Sequence, residues 1–422
     1  MAKLSESLRA MAAIEREHYE RDQKWQAKTV AAAADRYTLQ TPNQLSVEIN
    51  DVGYAILTQA NLDLSLTATW DQVVTDYRVA AARAGKDFYI YACQPSPANK
   101  DNPVFLISAN STFPIGYTAD NSRNVGGFHC LCVAVGAIAG HTLTNYVAGD
   151  ILPQSVWDIL HRPVSSPVGM VYSSALDKWI DIYLASGTGA STTSVNGGTI
   201  SDTRNWMDFV DDGYAVKKRL LDDGEFQRIA TGSNEGTNIT GSADPVTTSG
   251  HVDTASRRMI SNIGCEDCTG ATWQWLKDQS YRYDGGAHTH VFTGDALATH
   301  THNITVPGGA AAAGTDALSI KAAVLNKESA GADTVVDAVV AKTAGTPAGS
   351  NASVDPAPAF AWYALPGSKG QLYRQGTYGD VKLRAGGSWA TGALCGSRSR
   401  YANAYRWYTS TDLGGRFLAE PL

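Results

Sequence analysis

The sequence predicts an α+β chain with an N-terminal helix over 1–35 and a small β-rich assembly or attachment domain over 36–147. A larger C-terminal domain over 148–422 follows, with an inserted low-complexity arm at about 287–358. Three observations carry this. Leu4, Leu8, Met11, Ile14, Trp25 and Val30 lie among many Glu, Arg and Ala, a helix-forming mixture. Between Tyr37 and Tyr146, short β-type apolar runs alternate with turn clusters. From Asn303 to about Pro358, Ala, Gly and Thr dominate, as in Gly308-Gly309-Ala310-Ala311-Ala312-Ala313-Gly314, a composition that cannot bury much apolar area.

Taken in order, the N-terminal helix has three readings. Glu15, His18 and Asp22 interrupt any strict heptad seam, leaving a short trimeric coiled coil, a helix docked on a neighbour, or one packed on its own domain. In the β-rich domain the strand candidates are Phe88–Cys93, Pro103–Ser108 and Phe128–Val135, with one helix expected from Asp71 to Gly85. Cys130 and Cys132 read as core residues on one strand face. Gly169–Tyr172 and Trp179–Leu184 form a β-hairpin with Asp177-Lys178 near its turn. Helices are expected at Ser201 to about Asp211 and Asp223 to Thr231, with Ser201 or Asp202 and Asp222 or Asp223 as N-caps. Leu318 to Leu325 is a candidate short helix within the arm.

Composition narrows the function. At 422 residues the chain exceeds one ordinary core, and 43% hydrophobic with 18% charged residues describes a globular protein. The 40 glycines point to many loops and strands. A formal charge of −7, with no basic run longer than Lys217-Lys218-Arg219, argues against a nucleic-acid partner. No apolar stretch approaches membrane-spanning length and the N-terminus lacks an apolar signal core, so neither membrane insertion nor a secretory signal is expected. Six cysteines are too few for a disulfide scaffold of this size, which suits assembly in a reducing cytoplasm.

The most informative stretch runs from Gly386-Gly387-Ser388-Trp389 through Arg398-Ser399-Arg400-Tyr401 to Gly414-Gly415-Arg416-Phe417. Glycine pairs, Trp389, Trp407, Arg398, Arg400 and Arg406 read as a frame. Between them Ala390, Thr391, Leu394, Tyr401, Ala404, Tyr405, Ser410 and Asp412 share no hydrophobic period. Tyrosine with small polar residues is what adaptable binding surfaces favour. The alternative is an aromatic strand pair packed inward.

This stretch resembles the variable region of proteins diversified by diversity-generating retroelements, such as phage tropism determinants. Those carry it on a C-type-lectin-like domain related to formylglycine-generating and sulfatase-modifying enzymes. Upstream, Lys217-Lys218-Arg219-Leu220-Leu221-Asp222-Asp223-Gly224-Glu225-Phe226-Gln227 is similar to that superfamily's KRLPTEAEWE helix, and Gly270-Ala271-Thr272-Trp273-Gln274-Trp275 to its GNVWEW. The resemblance implies a non-enzymatic, receptor-binding tail-fibre tip in a virion assembled in the host cytoplasm. It implies a homotrimer meeting a host cell-surface receptor, protein or glycan, and other phage tail proteins. The eight residues between the frame positions are then the variable ligand-binding surface, expected mostly exposed on one face. Two alternatives are a formylglycine-type oxidase and a bacterial surface-displayed binding protein.

Chemistry has few candidates. His288-Thr289-His290 and His300-Thr301-His302 each present two imidazoles on one strand face. Three chains could bring six such imidazoles to one metal on a trimer axis, as similar pairs do in trimeric phage tail fibres; a surface strand without ligand is the alternative. No cofactor is otherwise required. Cys265-Glu266-Asp267-Cys268 lacks the second ligand pair that structural zinc needs. The superfamily's oxidases place two cysteines after their Gly-Gly-Ser motif, whereas here only Cys395 is present and Thr391 holds the partner position. No histidine follows His302, so the iron-dependent relatives' triad is missing too.

Overall fold

The computed structural model describes residues 29–30, 35–41, 45–56, 60–71, 74–95, 103–283, 324–326, 334–336, 372–374 and 379–422. Among these, two compact units separate: the described residues up to Tyr183 with Thr193–Gly198 and Leu418–Leu422, and the described residues of Leu184–Thr192 and Thr199–Phe417.

In the first unit, β1 (Thr29–Val30) and β2 (Thr38–Gln40) open a small sheet. β3 (Leu45–Ile49) and β4 (Val52–Ile56) form a hairpin. Its two-residue turn, Asn50-Asp51, has φ of 51° and 60°, the positive values that match the twist of the flanking strands. β5 (Asn61–Asp63) completes the first sheet beside β2. β6 (Asp87–Cys93), β7 (Val104–Ser108), β8 (Ser122–His129) and β9 (Trp157–Asp158) make a second sheet in the order β7-β6-β8-β9. Phe88 and Phe128 face each other across β6 and β8, and their rings join Trp70 and Tyr77 in the core.

Two expectations for this unit give way. The helix expected over Asp71–Gly85 shrinks to α1, Ala80–Arg83. Trp70 bridges Ile107, and the Asp71 carboxylate accepts from Ser108 Oγ at 2.6 Å and Ile115 N at 2.9 Å. Those bonds draw the segment's start onto the sheet edge instead of into a helix. The run expected to reach Val135 ends as strand at His129, followed by a single bridge from Cys130 to Ile151, and Cys130 and Cys132 are both buried there. The expected hairpin forms with shifted ends: β10 (Met170–Ser173) pairs with β11 (Lys178–Asp181), Lys178 joins the strand and Asp177 takes φ 51° in the turn. Leu418 and Ala419 pair with Ile180 and Trp179 on the free side of β11.

The second unit begins its helical part with α2 (Trp206–Ala215), later than expected because Asn205 supplies the cap. Its side chain accepts from Met207 N and Asp208 N, and Asp208 returns a bond to the cap backbone, closing a capping box. β12 (Arg219–Leu220) leads to α3 (Asp223–Ile229), where Asp222 and Glu225 form a second capping box. β13 (Trp273–Tyr283) anchors the main sheet with β14 (Val324–Asn326), β15 (Thr334–Val336), β16 (Leu372–Arg374), β17 (Gly379–Gly386) and β18 (Gly396–Tyr405). The order is β14-β13-β17-β18-β16-β15, with β19 (Leu413–Gly414) pairing parallel to β13. Phe209, Trp273, Trp275, Leu413 and Phe417 form the core beneath it.

Among the described residues strand and loop dominate, and the helices are short. The α+β class is corrected to a mostly-β fold, because the helix expected over Asp71–Gly85 is reduced to Ala80–Arg83 and α2 starts only after its Asn205 cap. The N-terminal helix over 1–35 gains no support: Thr29–Val30, a β-branched pair, is strand, and residues 1–28 lie outside the described ones. The candidate helix at Leu318–Leu325 meets a strand where it is described, at Val324–Asn326.

Candidate functional site

The surface of interest is carried by β17, β18 and the loops that follow them. The crossing between the two strands needs its glycines. A Cβ at Gly386 (φ +96°) would meet the Cys268 carbonyl oxygen at 2.6 Å, and one at Gly387 (φ +86°) would meet Cys395 Sγ at 2.7 Å. Thr391 Oγ1 accepts from Ser388 N at 2.9 Å, and Trp389 N donates to the Ala271 carbonyl at 3.0 Å, so the loop is pinned at both levels. Trp389 is half-buried against Ile239, Met259 and Ala271.

Beneath β18 lies a layer of buried arginines. Arg400 is fully buried; its guanidinium pairs with Asp223 and donates to the carbonyls of Ser397 (2.8 Å) and Ser399 (3.0 Å). Arg416, also fully buried, donates to Gln274 Oε1 at 3.2 Å and to the Glu266 carbonyl. Arg384 on β17 sits in an aromatic box, its guanidinium 4.3 Å from the Tyr401 ring centre, 5.4 Å from Tyr408 and 5.5 Å from Trp275. Burial pulls its pKa down to about 10, while Asp412 acts in the opposite direction.

The eight expected surface residues fall into unequal classes. Only Ala390 is exposed. Thr391, Leu394, Tyr401, Tyr405, Ser410 and Asp412 are half-buried, and Ala404 is in the core. The strand register gives the reason. Lys382 faces Ala404 and Arg384 faces Tyr401, so three residues of β18 span two of β17: a bulge. Simple alternation would turn Ala404 away from the face of Tyr401, and the extra residue brings it back inward. Tyr401 itself packs on Trp273, ring centres 5.0 Å apart. The expectation that the eight are mostly exposed is therefore corrected.

The frame also needs revision. Arg398 and Arg400 are buried as frame residues should be, but Arg406 and Trp407 are exposed, Trp407 at 61%. Its ring stacks in parallel on Tyr405, 5.0 Å apart and 11° from coplanar. Trp407, expected in the frame, is thus a surface residue, and so is Tyr408 beside it, which is 43% exposed. The loop carrying them is tied to α2 and the segment before it: Trp206 N donates to the Arg406 carbonyl at 2.9 Å, and Thr203 N to that of Ser410 at 3.1 Å. These partners had no signal in the sequence.

The other chemical candidates resolve simply. The Cys395 thiol is buried, points at the Ser388 carbonyl (3.3 Å) and is pushed up to about 12 by burial. With Thr391 holding its loop together, this donor set does not fit the superfamily's copper pair. Cys265 and Cys268 are buried, and burial holds the Cys265 thiol well above its ordinary value. His288, His290, His300 and His302 lie outside the described residues. Among the described residues no group of three or more His, Cys, Asp and Glu is placed to hold a metal ion.

A β-rich first unit, then a sheet whose last long strand and loops carry a tyrosine-rich surface over buried arginines, is the arrangement in which this chain resembles the phage tropism determinants. Residues 45–158 match the family model described as the Mtd second domain. The tail fiber receptor-binding protein of Bordetella phage BPP-1 is 29% identical over 231 residues, covering 49% of this chain and 57% of that relative's length. Solved structures of the Major Tropism Determinant share the fold. The I1 variant aligns with a TM-score of 0.53 at 21% identity over 95% of this chain and 88% of its own. The P3c variant gives 0.54 at 19% identity over the same shares, 95% and 88%.

Proposed function

We propose that this chain is the receptor-binding protein of a phage tail fibre, displaying a recognition surface on the β17–β18 face and its loops. The observation that carries it is the match of residues 45–158 to a domain of the tropism determinants, joined to likeness of fold over 95% of the chain. The exposed Trp407 and Tyr408 supply what such a surface needs: large, rigid contact area on a loop fixed by backbone hydrogen bonds. The protein works without catalysis, as a homotrimer in the virion, alongside other tail proteins. Its host receptor is a cell-surface protein or glycan, and the gene is accompanied by a reverse transcriptase and a near-copy of its own 3′ end. A metal on a trimer axis at the four histidines is part of this proposal.

The test is saturable adsorption of the fluorescently labelled chain to a panel of host bacteria. Protease-treated and periodate-treated cells separate protein from glycan receptors. Adsorption to a subset of strains, abolished by one treatment, is the expected result. Absence of saturable adsorption to every strain, or copper uptake with peptide oxidation, would overturn the reading.

A further inference from the structure

The receptor side of this surface can be assigned a chemistry from three features. The first is the parallel Tyr405–Trp407 stack, whose indole is largely exposed although a soluble protein gains by covering it. The second is the charge around it. Asp244 is exposed, close enough to Asp202 and Asp412 for both to raise its pKa after burial has done so, and hydrogen-bonded to Thr411. Asp202 adjoins Thr203, whose N–H holds the Ser410 carbonyl, so the carboxylates and the aromatic loop belong to one piece of surface. The third is where the local cations go. Lys382 lies buried 4.1 Å from the Trp206 ring centre and Arg384 is buried in its aromatic box. Among the described residues, Arg406 reaches the Trp407 ring, at 5.9 Å from its centre, the outer limit of a cation–π contact.

Building on the receptor-binding reading, we propose that the Tyr405–Trp407 stack, together with the carboxylates of Asp202, Asp244 and Asp412 on the segments tied to its loop, seats an arginine or lysine side chain from an exposed loop of a protein receptor. The three carboxylates are not arranged to ligate a metal ion, so the cation they suit is a larger, organic one. A guanidinium can lie flat on an indole while its edge donates to carboxylates, using both features at once. Arg406 is then a weak internal competitor for the same ring. A neutral sugar could also stack on the indole, but it would leave the repulsion between Asp244 and Asp202 unrelieved.

The test uses the full chain and immobilised peptides of the form acetyl-Gly-Arg-Gly-Arg-amide. Controls are the same peptide with citrulline, which keeps the shape and loses the charge, and a neutral glycan array. Arginine should bind about tenfold or more above citrulline, a ratio within the range of partly desolvated cation–π contacts. W407L, which keeps apolar volume without an aromatic face, and the double variant D244N/D412N should each remove most of that preference. R406A should strengthen arginine binding by about two- to fivefold. Unchanged thermal unfolding of W407L keeps the result interpretable, as the side chain is exposed. Equal binding of arginine and citrulline, or glycan binding in place of peptide binding, overturns the proposal. Adsorption to host cells, measured in parallel, keeps the readings apart: adsorption that persists without cationic preference defeats this inference and leaves receptor binding standing.

Discussion

Removing the Arg400 side chain should destabilise the second unit more than any exposed change on the same strand. Arg400 is fully buried and holds Asp223, itself 2% exposed, through its guanidinium. The same group donates to the Ser397 and Ser399 carbonyls and to Gln227 Oε1 at 3.3 Å. Arg400→Ala leaves the Asp223 carboxylate buried without its cation, and breaking a buried pair in this way costs about 3–5 kcal/mol. At about 2–4 °C per kcal/mol for a unit of this size, the midpoint should fall by roughly 6–20 °C. Differential scanning calorimetry of the full chain reads the loss. Arg400→Met combined with Asp223→Leu should recover much of it, since replacing both partners removes the stranded charge. A loss under about 1 kcal/mol for Arg400→Ala, or a double variant no better than the single, would refute the reasoning.

Tyr401→Ala should cost about 2 kcal/mol in chemical denaturation, because the ring covers Trp273 and Arg384, whereas Trp407→Ala should stay within about 0.5 kcal/mol while reducing adsorption to host cells. Gly387→Ala should lower the midpoint through a φ of +86° and the 2.7 Å approach to Cys395 Sγ; Cys395→Ala should restore only part, since the new methyl would still lie 3.0 Å from the backbone α-carbon of residue 395. Although burial lowers the affinity of His251 for a proton, the neighbouring Asp267 carboxylate at 2.8 Å raises it further, so its folded pKa lies above the ordinary 6.5. Its contribution to stability is complete below that value and is lost as pH rises through the folded one; His251→Gln should flatten this slope in melts from pH 6 upward. Multi-angle light scattering at micromolar concentration should give a trimer, and a monomer would remove the proposed assembly.

What the sequence made legible was local. The Asp222 cap (one of two candidates), the hairpin around Asp177 and the Gly386-Gly387 crossing each follow from short-range backbone chemistry, and each lies within a few residues of its expected place. The start of α2 slipped because Asn205 caps better in context than Ser201 or Asp202, which lie too far upstream to reach its free N–H groups. Burial was harder. Trp407 and Trp389 look equivalent as letters, yet one loop docks its indole on Ile239 and Met259 while the other presents its indole to solvent. That difference is set by partners more than a hundred residues away. Arg384 went unnoticed for a related reason: a buried cation is recognisable only once Trp275, Tyr401 and Tyr408 have closed around it.

The extra residue between Tyr401 and Ala404 has a consequence for how such a chain can change over generations. It sets the parity of everything after it on β18, deciding which letters of the gene are read by solvent and which by the core. Exchanging one side chain for another leaves that parity intact, and a poor choice spoils one position only. Inserting or deleting a single codon within β18 would invert inside and outside from that point to the strand's end at Tyr405. A lineage that explores new surfaces here is therefore confined to spelling changes at constant length, and inward positions such as Ala404 act as a filter on which spellings survive.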